Sequence, residues 1–453
     1  MHTNGEAGIR KRDRPAVFRY SPERRTALVL CGTGAHGAYQ AGVLRALQEA
    51  GVKIDVMAGH GVGAGAAALA AIDGAARLWD ADGIWRGSAA KVLYRWKWPL
   101  RVAGWLFLLL VAVLAMSLLF LVLRLPINAD VFLWAEQMVL TVLLLVLVAG
   151  VAIARRWAPV RRTAGGAWWW RLLGAPLDAD AAREIFAGSL WQLIRGASHT
   201  ARPGGEAVGR RYADVLADNL GQPGFRELMI VATDLDARRD VVGALLREPY
   251  RQEFVAPRSD CERRSEAIDL AGTGRDHAFD LIAAGLTPPI GCDPHMMTFA
   301  ADSYWRGESH RVCDRPGAIS RLLEELAAAG VSQAIIVSAV AAPPPPHRLS
   351  VPRLEIRHRL GELLAAAESA ALRDAIEMAR LRFDSVYLIC PTHNPVGAFD
   401  FTGAYDEASD RRQDLAELMD RAYEDAYRQF IEPVVGASGE HLTHVSAREA
   451  PRT

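Results

Sequence analysis

The chain has 453 residues with 52 basic and 52 acidic side chains, so its formal charge is zero. That balance argues against nucleic acid as a partner, because binding phosphates needs a basic surplus. Five scattered cysteines (Cys31, Cys261, Cys292, Cys313, Cys390) form no CxxC pair and point to neither a disulfide framework nor structural zinc.

Residues 1–24 carry Arg10, Lys11, Arg12 and Arg14 with no apolar run behind them, and read as a flexible basic tail. Strands then alternate with helices: Thr26–Cys31 is an apolar strand, 38–50 a helix, 54–58 a strand and 62–76 an Ala-rich helix. Residues 25–88 form the first part of an α/β domain. The segment 89–175 differs in character. Residues 102–123 and 137–154 are free of charge, over 22 and 18 residues. The first stretch would make a helix of ~33 Å, enough for a ~30 Å hydrocarbon core, and the second is near the lower limit. A buried soluble helix is the alternative for each.

The flanks favour the membrane. Lys91, Arg95, Lys97 and Arg101 precede the first stretch, and Arg155, Arg156, Arg161 and Arg162 follow the second. The link between them holds only Arg124, Asp130 and Glu136 as charges. The positive-inside rule then predicts a two-helix transmembrane hairpin with both termini and the α/β domain cytoplasmic. Trp96, Trp98, Trp105, Trp134, Trp157 and Trp168–Trp170 gather near its ends, where indole suits the interface. The α/β pattern resumes over 176–435. Residues 228–232, 334–337 and 386–390 are candidate buried strands, 343–346 a polyproline run, Ile356–Arg382 one long helix or two short ones, and 411–431 helical. Residues 436–453 read as a loose tail. Parallel strands covered by helices on both faces are the expected architecture.

Two glycine loops carry the chemistry. Gly32-Thr33-Gly34-Ala35-His36-Gly37 follows the first strand and opens a helix, so its N–H groups can face an anion. The spacing is a literal GxGxxG, which suits a dinucleotide only if an acid ends the next strand. Asp55 lies at the start of that strand. The other use is an oxyanion hole. The second loop, Gly59-His60-Gly61-Val62-Gly63, sits where a nucleophile elbow G-x-S-x-G belongs, but its centre is Gly61. No Ser, Thr or Cys occurs between Gly34 and Gly87. Cys31 and Thr33, beside the first loop, are the nearest substitutes. His60 could be a base or bind an anion. Asp293 and His295 fall short of a metal site.

The segments LVLCGTGAHGAYQAGVL and DVMAGHGVGAGAAALAA resemble the N-terminal half of patatin-like phospholipases. The resemblance implies a three-layer α/β/α sandwich and a Ser–Asp dyad acting beside a glycine-rich oxyanion loop. It places Gly32, Thr33, Gly34 and Gly37 in that loop, with His36 where the family usually has Arg. Gly59 and Gly63 become the elbow glycines, and Gly61 the vacant nucleophile position. Asp314, in VCDRPGA, matches the dyad acid. It could instead cap a turn or pair with Arg315. MIVATDLDA and LICPTHNPVGAFDF are similar to later strands of the family. The expected protein is membrane-anchored and catalytically impaired, without cofactor or metal, and binds lipid, acyl groups or a protein partner through the old cleft. An acyl hydrolase with a displaced nucleophile is the alternative, and a nucleotide-binding membrane protein the second. A serine placed at Gly61 is expected to restore weak esterase activity if Asp314 stands close by.

Overall fold

The computed structural model describes residues 20–123, 134, 137–146, 148–149, 174–196, 200–256, 263–301, 303–341 and 355–436. Residues 1–19 and 437–453, nearly all of the link between the apolar stretches, the basic flank after the second, Cys261 and the run 343–346 lie outside the described residues; residues 20–24, expected in the flexible tail, are described, and Tyr20 is buried.

The protein is a mixed α/β fold around a large, mainly parallel sheet. In chain order its elements begin with β1 (Thr26–Cys31), α1 (Gly37–Glu49), β2 (Val56–Gly59), α2 (Val62–Ala71) and α3 (Ala76–Trp79). Next come β3 (Arg95–Trp96), α4 (Trp98–Leu123), β4 (Leu177–Asp178), α5 (Asp180–Ile194) and α6 (Gly205–Asn219). Then follow β5 (Glu227–Asp234), β6 (Arg239–Leu245), α7 (Tyr250–Val255), β7 (Ser265–Asp269), α8 (Ala278–Gly285), β8 (His295–Thr298) and β9 (Ser309–Cys313). The last are α9 (Ile319–Ala328), β10 (Gln333–Ser338), α10 (Ile356–Arg382), β11 (Ser385–Ile389), β12 (Ala404–Asp406), β13 (Arg411–Gln413) and α11 (Leu415–Ala426).

The sheet order is β11-β10-β1-β2-β5-β6-β7, parallel from β11 through β5. β1 is apolar at nearly every position because it lies centrally with both faces covered. Leu28 and Leu30 pack on one side with Met57, Leu228 and Ile230 against α1, α2 and α11. Ala27, Val29 and Cys31 pack on the other with Val56 and Ala58 against α9 and α10. The period of two divides the side chains between two cores, giving three layers. At the other end of the sheet's width, β6 runs antiparallel to β5, and β9 pairs antiparallel with the last residues of β5. That pairing carries the residue after β9 to the carboxyl ends of the parallel strands.

Some boundaries differ from the expectation. The Ala-rich helix stops at Ala71, where Asp73 turns to φ 56° and ends it. Residues 411–413 form β13, paired with β12, and helix begins only at Leu415. Asp414 caps that helix by accepting from the Glu417 N–H at 2.9 Å. Ile356–Arg382 is one helix.

Residues 95–97 and 176–178 come together as a short ladder. β3 and β4 pair as Arg95↔Asp178 and Trp96↔Leu177, and the Lys97 N–H donates to the Pro176 carbonyl at 3.0 Å. α4 spans 26 residues and exposes Trp98, Trp105, Phe107, Leu108 and Leu114. Residues 137–146 are also helical and expose Met138, Leu144 and Leu145. Side chains of α4 are described without a break only over 100–116. Among the described residues no helix is long and apolar enough to cross a membrane.

Candidate active site

The elbow has its shape. β2 ends at Gly59, and Gly61 turns the chain into α2 with φ 61° and ψ −140°. Positive φ at this point is what lifts a nucleophile above a sheet. Here the position carries only hydrogen. A Cβ built on Gly61 would lie 3.0 Å from Asp314 Oδ2, so the carboxylate stands at the vacant position. The same Cβ would lie 2.1 Å from the Gly32 carbonyl oxygen. That oxygen accepts the Val62 N–H at 2.9 Å. In an elbow enzyme the N–H of the residue after the nucleophile serves the oxyanion. In this protein it is bonded to the glycine loop, and the carbonyl it bonds fills the place a side chain would need.

The glycine loop is closed from the other side as well. The Ala35 N–H donates to the Ala398 carbonyl at 2.8 Å, and a Cβ on Gly34 would meet that oxygen at 2.1 Å. Gly37 starts α1, where a Cβ would run into the Trp85 ring. The His36 N–H bonds the Thr33 carbonyl at 3.3 Å. Among the described residues the N–H groups of Thr33 and Gly34 have no acceptor.

Asp314 is fully buried. Its Oδ1 lies 3.3 Å from His60 Nδ1, and its Oδ2 accepts the Thr33 hydroxyl at 3.4 Å. It does not pair with Arg315, which reaches Asp240 instead. Burial works against an imidazolium at His60, but hydrogen bonds to Asp314 and to Cys31 prevail and hold its pKa well above 6.5. Nε2 of His60 has no well-formed hydrogen bond. Burial pushes the Cys31 thiol up, more than His60 pulls it down, so it stays protonated at neutral pH.

Two further groups complete the cluster. Glu368 of α10 accepts the Ser338 hydroxyl at 3.2 Å, and its Oε2 lies 3.9 Å from His36 Nδ1. Burial raises the Glu368 carboxyl to about 7 and lowers the His36 imidazole to about 4. Sequence reasoning missed Glu368, although a signal existed. The buried stripe of α10 runs Gly361, Leu364, Glu368, Leu372, Ala375 and Ala379, and Glu368 is its single acid.

Other candidates disperse. Asp55 accepts the Thr26 N–H at 2.9 Å at the amino end of β2, a strand's length of ~13 Å from the glycine loop. It cannot read a ribose there. Asp293 binds Lys97 and the Ala175 N–H, whereas His295 binds Asp280 and Arg183. The pair shares no ligand position. Among the described residues no group of three metal-binding side chains occurs.

A mainly parallel sandwich whose strand-to-helix elbow rises at the carboxyl end of a central strand is the scaffold class of the acyl hydrolases. Residues 28–118 of the chain match the patatin-like phospholipase family model. The crystal structure of VipD from Legionella pneumophila is similar at 12% identity and a TM-score of 0.31, covering 92% of this chain and 67% of that one. No curated protein matches the chain.

Proposed function

We propose that this is a membrane-attached, patatin-like protein that binds lipid and lacks efficient ester hydrolysis. The Gly32 carbonyl at the nucleophile position carries the reading. The missing hydroxyl is one deficit, and the filled space is a second, independent one. Without a nucleophile, a serine-type site retains only ~10³–10⁴-fold catalysis over water. Cys31, Thr33, His60 and Asp314 are each at most 3% exposed, so the described residues shut them off from substrate. Attachment to lipid is supported by α4 and residues 137–146, whose large apolar side chains face outward.

The test assays purified full-length protein on fluorogenic acyl esters and on phospholipid vesicles. Lipid binding without turnover is expected. Turnover that disappears in Asp314→Asn would refute the impaired reading.

A second reading, an acyl hydrolase with a displaced nucleophile, draws on the Thr33 hydroxyl. It bonds the same carboxylate oxygen that a serine at 61 would face, and the adjoining Thr33 and Gly34 N–H groups are free to hold an oxyanion. Against it, 3.4 Å is long for a hydroxyl activated by a carboxylate, where ~2.5–2.7 Å is usual. A fluorophosphonate adduct mapped to Thr33 by mass spectrometry, and lost in Thr33→Ala, would establish it.

A further inference from the structure

A cavity of about 470 Å³ opens at the short ladder, among β3, β4 and the first turns of α4 and α5. None of its lining residues belongs to the Gly61–Asp314 cluster. Four cations and three carboxylates line it. Two of the cations are committed: Lys97 to Asp293, and Arg183 to Asp180 at 2.6 Å. Asp178 accepts the Asp180 N–H at 2.8 Å and stands opposite Arg95 across the ladder without forming an ion pair. Arg95 and Arg101 are exposed and, among the described residues, have no carboxylate within bonding distance. The first turn of α4 also lines the space with its positive end, while that of α5 is met by Asp178. The net field therefore favours an anion despite the three acids.

The surroundings favour one kind of anion. Trp96 and Trp98 border the cavity, and Trp98 is 71% exposed. Directly beyond the cavity, α4 turns Val102, Trp105, Phe107 and Leu108 outward, on more than one face. A small soluble anion would use the arginines and leave these side chains in water. A lipid would use both.

We propose that the cavity holds the headgroup of an anionic phospholipid, its phosphodiester between Arg95 and Arg101 and its acyl chains along α4. This rests on the lipid attachment proposed above and names the lipid class. Two arginines near a lipid phosphate are together worth a preference of about 30-fold for anionic over zwitterionic lipid.

The experiment uses full-length protein in detergent micelles carrying a fluorescent phosphatidylglycerol. Unlabelled phosphatidylglycerol, phosphatidylcholine and inorganic phosphate compete with it. Phosphatidylglycerol is expected to displace the probe about 30-fold better than phosphatidylcholine. The double variant R95Q/R101Q is expected to erase that preference, weakening phosphatidylglycerol displacement more than phosphatidylcholine displacement. Equal displacement in the wild type overturns the headgroup site and leaves lipid attachment standing. Displacement by neither lipid overturns both. Displacement by millimolar inorganic phosphate assigns the cavity to a free anion and also overturns the proposal. If the double variant loses all lipid binding, R95K/R101K must restore the preference, and its failure to do so counts as refutation.

Discussion

Gly61→Ser separates a missing atom from a missing space. The added Cβ would face Asp314 Oδ2 at 3.0 Å, which suits a dyad, but would overlap the Gly32 oxygen at 2.1 Å. The carbonyl must rotate away and give up the Val62 N–H. Placing a side chain at φ 61° and ψ −140°, a region almost confined to glycine, adds ~1–3 kcal/mol, and relieving the overlap ~1–3 kcal/mol. The sum, ~2–6 kcal/mol, lowers the melting temperature by about 2–6 °C at roughly 1 °C per kcal/mol for a chain of 453 residues. The carboxylate is close enough for a serine here to revive the esterase, but the overlap opposes it: the variant is expected to melt early and remain inactive. Differential scanning fluorimetry and p-nitrophenyl ester hydrolysis are the assays. An unshifted melting temperature with turnover that vanishes in G61S/D314N would mean that the glycine loop yields freely, and the argument from space would fail.

The other expectations concern buried charge and thiols. Glu368, raised to about 7 from 4.5, contributes stability that is present below pH 4.5 and lost as pH rises through about 7. His36, lowered to about 4 from 6.5, contributes stability that is present above pH 6.5 and lost as pH falls through about 4. Each effect is worth ~3 kcal/mol, and they oppose each other between pH 4.5 and 6.5. Urea titrations should show Glu368→Gln gaining stability relative to wild type as pH rises, and His36→Asn losing it; parallel curves would refute both. At the far end of the sheet, buried Arg25 and Glu227 form a two-pronged ion pair at 2.7 and 2.5 Å. Arg247 also bonds Glu227, at 3.0 Å, so the carboxylate is stranded only when both cations go: Arg25→Met with Arg247→Met should cost ~3–5 kcal/mol, and adding Glu227→Met should recover most of it. Iodoacetamide should modify half-buried Cys390 well before Cys31, Cys292 or Cys313: burial raises all four thiols, so access sets the order, and those three are buried. Native-state labelling of Cys31 ahead of Cys390 would contradict that order.

The stretch from β1 through α2 was legible because its determinants are local: an apolar run, glycines at two turns and an Ala-rich helix. Asp314 could be placed near Gly61 only through resemblance, since 253 residues separate them. What closes the site was not legible. The Gly32 and Ala398 carbonyls act as backbone groups, which leave no mark on residue identity. β6 to β9 escaped notice because their runs mix charged and apolar residues, and an edge region need not be apolar throughout. Glu368 could have been found from the helical period of α10 alone.

Strand β1 is hydrogen-bonded on one side to β2 and on the other to β10, which ends 307 residues after it. At ~5–20 residues per second, a ribosome needs about 15–60 s to supply that second neighbour. For that interval the nascent chain offers an apolar, unprotected ribbon of backbone to whatever strand it meets first. Truncation before residue 338 would leave part of that ribbon permanently bare.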